Sequence, residues 1–279
     1  MVFEKTLTDV VKGIRACKRD TALYISSCIA EIKTEINSTD PHTKGNALQK
    51  LTFLQMMGYN MSWSSFATIE VMSDARFAYK RIGCLAASQT FTQDTDVILL
   101  TTNTLKKELR GAVGPGMTGV YEAGLALNCL SNIVTEDLAR ELLPDVTNLT
   151  NHPQPYLRKK AILCLLKLFI KYPQGLRLTF NRIQQCLLED TNSSVTSCAV
   201  NVITELSNTN PKNYLVLAPS FFGLLTNSSN NWMLIKVVSA ISVICLGVHG
   251  KSIHCGTSSR FFHLSTTTAL HSIVFFIRT

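Results

Sequence analysis

A small residue set in an apolar helical stripe returns every 36 to 40 residues along this chain, at Ala47, Gly83, Ala123, Ala161 and Ala199. Small side chains in such a stripe let a neighbouring helix approach closely. The clearest copy runs from Pro155 to Tyr172. There Leu157, Ala161, Cys164, Leu165, Leu168 and Phe169 fall on one side of a helix, and Arg158, Lys159, Lys160, Lys167 and Lys171 fill the other. Pro155 suits a first helical turn, and Pro173 stops the continuation. A single amphipathic helix does not hold itself in water. A train of them at this period, two helices to a unit, predicts an all-α, HEAT/armadillo-like helical solenoid. An irregular helical domain with coincidental spacing is the competing reading.

Local signals divide the rest in the same way. Thr8 to Ile36 reads as two helices broken near Lys18-Arg19-Asp20. Asp40-Pro41 offers an N-cap and a proline at the first helical position, and Gly58 ends the helix that follows. Trp63 to Met72 is a short partner, and Asp74 to Phe91 opens the next unit. The periodicity predicts a helix over Asp96–Arg110 with Val97, Leu100, Leu105 and Leu109 facing inward. Helical pairs resume at Thr118–Val134 and Glu136–Leu149, then Val195–Leu206 and Leu215–Leu225 follow.

Composition narrows the function classes. The net charge of +8 favours an anionic partner such as a membrane surface, a phosphate or an acidic peptide. Of nine cysteines none forms a CxxC pair, and Cys28, Cys84, Cys129, Cys164 and Cys198 sit within apolar helical patterns. Buried thiols in a reducing compartment account for them better than disulfides. The amino terminus has no apolar h-region, which points to the cytosol, and the five Asn-x-Ser/Thr matches are expected to be chance. No HExxH, P-loop or GxSxG elbow is present, so an enzyme is not expected, and neither is a cofactor or a metal. The literal GxGxxG at Gly114-Pro-Gly116-Met-Thr-Gly119 follows a charged helix and contains Pro115; it reads as an inter-helix loop. A basic solenoid binding nucleic acid is the alternative class. It would need aromatics interleaved with the cations, which the Arg158 region lacks, so nucleic acid is not an expected partner.

Three runs are more specific than any repeat pattern: Val11-Lys-Gly-Ile-Arg15 with Tyr24-Ile-Ser-Ser-Cys28, Leu51-Thr-Phe-Leu-Gln-Met-Met-Gly58-Tyr59, and Lys80-Arg-Ile-Gly-Cys-Leu-Ala-Ala-Ser-Gln89. Asp96–Asn103, Pro211–Leu215 and Asn230–Lys236 extend them. Together these residues resemble the N-terminal trunk of the large subunits of clathrin-type adaptor complexes, from Phe3 to about Val237. The resemblance implies a coat subunit in vesicle-mediated protein transport from Golgi or endosomal membranes to the lysosome or vacuole. It would be cytoplasmic and peripheral on those membranes. It implies a small sigma-type partner, beta-type large and mu-type medium subunits, an Arf-type GTPase and acidic dileucine cargo tails. Another transport complex with a HEAT-repeat scaffold is the nearest alternative. Arg15 matches the arginine that faces the acidic residue upstream of the dileucine, a place where a guanidinium can hold a carboxylate through two parallel hydrogen bonds. Some members carry a lysine cluster for phosphoinositides where this chain has only Lys44. Lys44 with the cluster Arg158, Lys159 and Lys160 forms the expected anionic surface contact.

After residue 237 the pattern changes. Residues 238–279 hold many Ser, Thr, Gly and His, and no acidic residue occurs after Glu205. This segment reads as a divergent, poorly structured tail on a truncated product. A membrane helix over Leu234–Val248 and a zinc site from His249, His254, Cys255 and His263 are the weaker readings.

Overall fold

The computed structural model describes residues 5–17, 19–112 and 119–248, with side chains to residue 244. Among the described residues there are thirteen α-helices and no strand. The chain divides into two compact units, Met1–Ile183 and Gln184–Thr279. The boundary falls within α10 (Pro173–Leu188), so that each unit is a short stack of its own.

The first unit begins with α1 (Leu7–Ala16) and α2 (Thr21–Glu35), with Arg19 and Asp20 just ahead of the second. Then come α3 (Pro41–Met56), α4 (Ser65–Met72), α5 (Phe77–Thr90), α6 (Thr101–Gly111), α7 (Val120–Ile133), α8 (Glu136–Leu149) and α9 (Pro155–Lys171). Helices α3, α5, α7 and α9 lie side by side in one layer, each packed on the next. The partners α4, α6 and α8 form a second layer, with α4 on α5, α6 on α7 and α8 on α9. This lateral stacking of helix pairs is that of a HEAT/armadillo-like solenoid. The repeat markers Ala47, Gly83, Ala123 and Ala161 fall one to each helix of the first layer, and all are buried. At Gly83 the close approach is to backbone: a Cβ there would lie 2.4 Å from the Met72 nitrogen and 2.6 Å from its Cα. The contact between α4 and α5 is thus a helix pressed on bare backbone.

The helix ends follow local chemistry. Asp40 caps α3, its carboxylate accepting from the Thr43 N–H at 3.0 Å and from Thr43 Oγ1 at 2.8 Å. These bonds, the backbone one first, hold the Asp40 carboxyl below its usual 3.8. The folded value lies below the unfolded one, so the cap stabilises above 3.8 and its contribution is lost as pH falls through the folded value. The stability difference between the protein and Asp40→Ala, read by urea unfolding, is therefore expected in full at neutral pH and should close in acid. Gly58 leaves α3 with φ of +99°, a conformation that favours glycine.

One predicted face is corrected. Asp96–Leu100 forms a tight 3-10 turn, and the α-helix begins only at Thr101. A turn of three residues rather than 3.6 rotates the stripe. Ile98 is buried with Leu105 and Leu109, while Leu100 is exposed.

In the second unit, α11 (Ser193–Thr209), a 3-10 segment (Pro211–Leu217), α12 (Ala218–Asn227) and α13 (Asn231–Val248) pack together, with α13 against both α11 and α12. The marker Ala199 is buried on α11. Helix α13 crosses the boundary expected at residue 237, and Val237, Ala240, Ile241 and Ile244 are buried. The first part of the expected tail is therefore an ordinary packed helix. The rest of it, the four proposed zinc ligands and Gly114 and Gly116 of the glycine-rich loop lie outside the described residues. No described helix is long and apolar enough to cross a membrane. Cys28, Cys84, Cys129 and Cys164 are buried thiols as expected, whereas Cys198 is half-buried.

Candidate functional site

Helix α1 carries Arg15, and its register is set by two opposed demands. Val10 is buried and Ile14 packs against the core under α2 and α3, which turns Arg15 outward in the last turn. A cation there complements the negative end of the helix dipole. Thr6 and Asp9 close the other end as a reciprocal capping box. Arg15 is exposed and no carboxylate among the described residues pairs with it.

What fixes α1 on the stack is a buried cation. Lys50 of α3 is almost fully buried, pairs with Glu35 of α2, and donates to the Lys5 carbonyl at 2.9 Å. Lys5 in turn pairs with Glu31 at 2.6 Å and lies 5.8 Å above the Tyr24 ring. Its hydrogen bond to Glu31 raises the Lys5 pKa. Burial pushes the Tyr24 hydroxyl and the Cys28 thiol up, as expected beside a packed face. Lys50 was legible in principle: it stands three residues after Ala47 and four before Leu54, on the same stripe as the core. A lysine in an apolar stripe signals either a mis-phased helix or a buried partner, and here it is the second.

The cations expected to meet an anionic surface are mostly occupied. Lys44 is half-buried and pairs with Glu70 of α4 at 2.6 Å. The Arg158 Nη1 donates to the carbonyls of His152 at 2.9 Å and Pro153 at 2.8 Å, tying the loop ahead of α9. Lys160 reaches the Gly124 carbonyl of α7 at 3.3 Å and lies 5.1 Å above the Tyr156 ring. Burial lowers its pKa. Lys159 is the member of the cluster with no protein partner among the described residues. The three neighbours in sequence thus diverge in space, because consecutive helical residues point 100° apart. Among the described residues no group of His, Cys, Asp or Glu is placed to hold a metal.

Other cations act as rivets between second-layer helices and their neighbours. Lys80 meets Glu108 at 2.8 Å, Arg110 meets Asp145 at 2.8 Å, and Lys106 meets Glu141. The Asp145 carboxylate raises the Arg110 pKa, and Lys106 lowers that of Glu141.

Comparison with known proteins agrees with this architecture. The family described as "Adaptin N terminal region" matches residues 22–263. The chain is 51% identical over 243 residues to "AP-3 complex subunit delta-1" of Bos taurus, covering 87% of this chain and 20% of that protein. It is 41% identical over 239 residues to "AP-3 complex subunit delta" of Saccharomyces cerevisiae, covering 85% and 25%. With "AP-1 complex subunit gamma-1" of Arabidopsis thaliana the identity is 33% over 207 residues, covering 73% and 23%. The chain thus spans a fifth to a quarter of the length of these relatives. Its structure is similar to a homology model of the full-length AP-3 complex in an intermediate open conformation. The TM-score there is 0.65 at 33% identity, over 86% of this chain and 46% of that one.

Proposed function

The chain belongs to the adaptin N-terminal family, and on that premise we propose that it acts as a scaffold in an adaptor-protein coat complex for vesicle-mediated protein transport. The observation that carries this reading is the 51% identity to a delta subunit along 87% of the chain. The reading extends to transport from Golgi or endosomal membranes toward the lysosome or vacuole, with the protein cytoplasmic and peripheral on those membranes. Its partners would be a sigma-type small subunit, beta-type and mu-type subunits and an Arf-type GTPase. A stack of helix pairs suits the task because its exposed faces bind along their length.

Within this reading Arg15 contacts the acidic residue upstream of a dileucine signal. Its exposure and the lack of a competing carboxylate among the described residues support the role, since a guanidinium already paired would have to break one bond to make another. Contact with an anionic membrane draws on the net charge of +8 and on Lys159 more than on a formed pocket, because Lys44, Arg158 and Lys160 have protein partners.

Co-expression with a sigma-type subunit followed by a sizing column tests the assembly: co-elution is expected, and separate elution would overturn it. Arg15→Glu should then weaken binding of an acidic dileucine peptide to the pair by about tenfold, a loss of about 1.4 kcal/mol, measured by fluorescence anisotropy. Unchanged affinity removes Arg15 from the cargo contact while leaving the scaffold reading in place.

A further inference from the structure

One concavity of the first unit is used by nothing described so far. The carboxyl-terminal ends of α5, α7 and α9 meet around a cleft of about 460 Å³. Thr92, Asn132, Ile133, Lys167, Ile170 and Lys171 are among its lining residues, and no Asp or Glu lines it.

Two features of the cleft go together. Lys167 and Lys171, one turn apart on α9, form no ion pair and no hydrogen bond among the described residues, although most other lysines of this unit are engaged. The end of α7 is also open. Val134 leaves the helical region (φ −58°, ψ 126°), and its N–H does not close the last turn. The carbonyls of Ser131, Asn132 and Ile133 accept no hydrogen bond from the described residues. The last three carbonyls of α5 and α9 are likewise open, as at any helix end, but in those two helices the cap N–H closes the last turn. The Phe91 N–H returns to the Ala87 carbonyl, and the Tyr172 N–H to the Leu168 carbonyl. The cleft thus offers two cations, a row of main-chain acceptors and an exposed apolar side chain, Ile170.

We propose that this cleft docks a short, extended acidic peptide segment of a protein partner. Carboxylates would pair with Lys167 and Lys171, main-chain N–H groups would donate to the open end of α7, and one apolar side chain would cover Ile170. A free anion answers only the lysines and is repelled by the carbonyls. A membrane surface presents no N–H row and is too flat to enter a concavity. The peptide alone matches all three features.

The test uses the whole chain and a fluorescein-labelled peptide, Glu-Glu-Asp-Ile-Glu-Glu, titrated at low salt with anisotropy as the readout. Saturable binding is expected, weakened about tenfold or more by the double variant K167E/K171E and less by K167Q/K171Q. The same peptide with methylated main-chain nitrogens should bind more weakly than the parent, which charge attraction alone would not produce. Thermal melts of the variants should match the protein, since neither lysine makes a bond that the fold needs. Absent saturable binding, equal affinity for K167E/K171E, or equal affinity for the methylated peptide would each overturn the proposal. So would binding to phosphatidylserine vesicles that needs these lysines while the peptide does not bind, which would reassign the face to a membrane.

Discussion

Gly83→Ala should lower the unfolding free energy of the first unit by roughly 2 kcal/mol, although the same change in an open helix interior stabilises. The two effects have opposite causes. Glycine costs a helix about 1 kcal/mol relative to alanine through backbone entropy, so replacing it normally gains that amount. At Gly83 the new Cβ would meet the Met72 nitrogen at 2.4 Å, its Cα at 2.6 Å and the Val71 carbonyl carbon at 2.9 Å. These are backbone atoms of a neighbouring helix and have no rotamer through which to yield. Helix α4 must move off α5, and overpacking of this kind costs about 1–3 kcal/mol or somewhat more against rigid neighbours. Gly111→Ala is the control within the same unit. Gly111 is the last residue of α6, and nothing lies within 4 Å of a Cβ built there. That variant should be neutral or slightly stabilising. Urea unfolding of both variants checks the pair, and a neutral Gly83→Ala would mean that α4 and α5 are not held at this spacing.

Much of this architecture is written in local signals. The markers from Ala47 to Ala199 needed only spacing, and each sits buried on its own helix. Asp40-Pro41 and Gly58 mark the ends of α3 because capping and positive φ depend on residues within four of each other. What escaped depends on a local change of helical period or on a partner outside the helix itself. Leu100 and Ile98 exchange places because a 3-10 turn changes the period for a single step, and hydrophobicity alone does not choose between two adjacent leucines and an isoleucine. Arg158, Lys159 and Lys160 look like one basic cluster in sequence. Whether each reaches solvent, a loop carbonyl or the next helix is decided by the path of the loop at Pro153, by the Tyr156 ring and by Gly124 of α7, and the last of these lies outside any short window. Arg15 was easier, since a cation in the last turn of an amphipathic helix, opposite Val10, must face out.

Lys50 gives the second large effect, and its signature lies in the pattern across variants more than in any one of them. Glu35→Leu removes the carboxylate and leaves an ammonium that is almost wholly buried with one carbonyl, that of Lys5, as its remaining anchor. Breaking a buried pair from one side costs about 3–5 kcal/mol, because an unpaired charge stays out of water. Glu35 keeps some solvent access, so the lower end of that range applies. Lys50→Met is expected to cost less: the charge goes, a chain of similar volume fills the stripe between Ala47 and Leu54, and Glu35 turns to water. The double variant should be more stable than Glu35→Leu alone, and the excess measures the coupling of the two groups. Either change at Lys50 also removes the hydrogen bond to the Lys5 carbonyl that holds the start of α1. Amide hydrogen exchange over residues 7–16 should therefore quicken in Lys50→Met even where the global stability is nearly kept. The prediction fails if Glu35→Leu is as stable as the double variant, since the lysine would then be reaching water by another route. It fails as well if exchange in α1 is unchanged, in which case Val10 and Ile14 alone would suffice to seat the helix that carries Arg15.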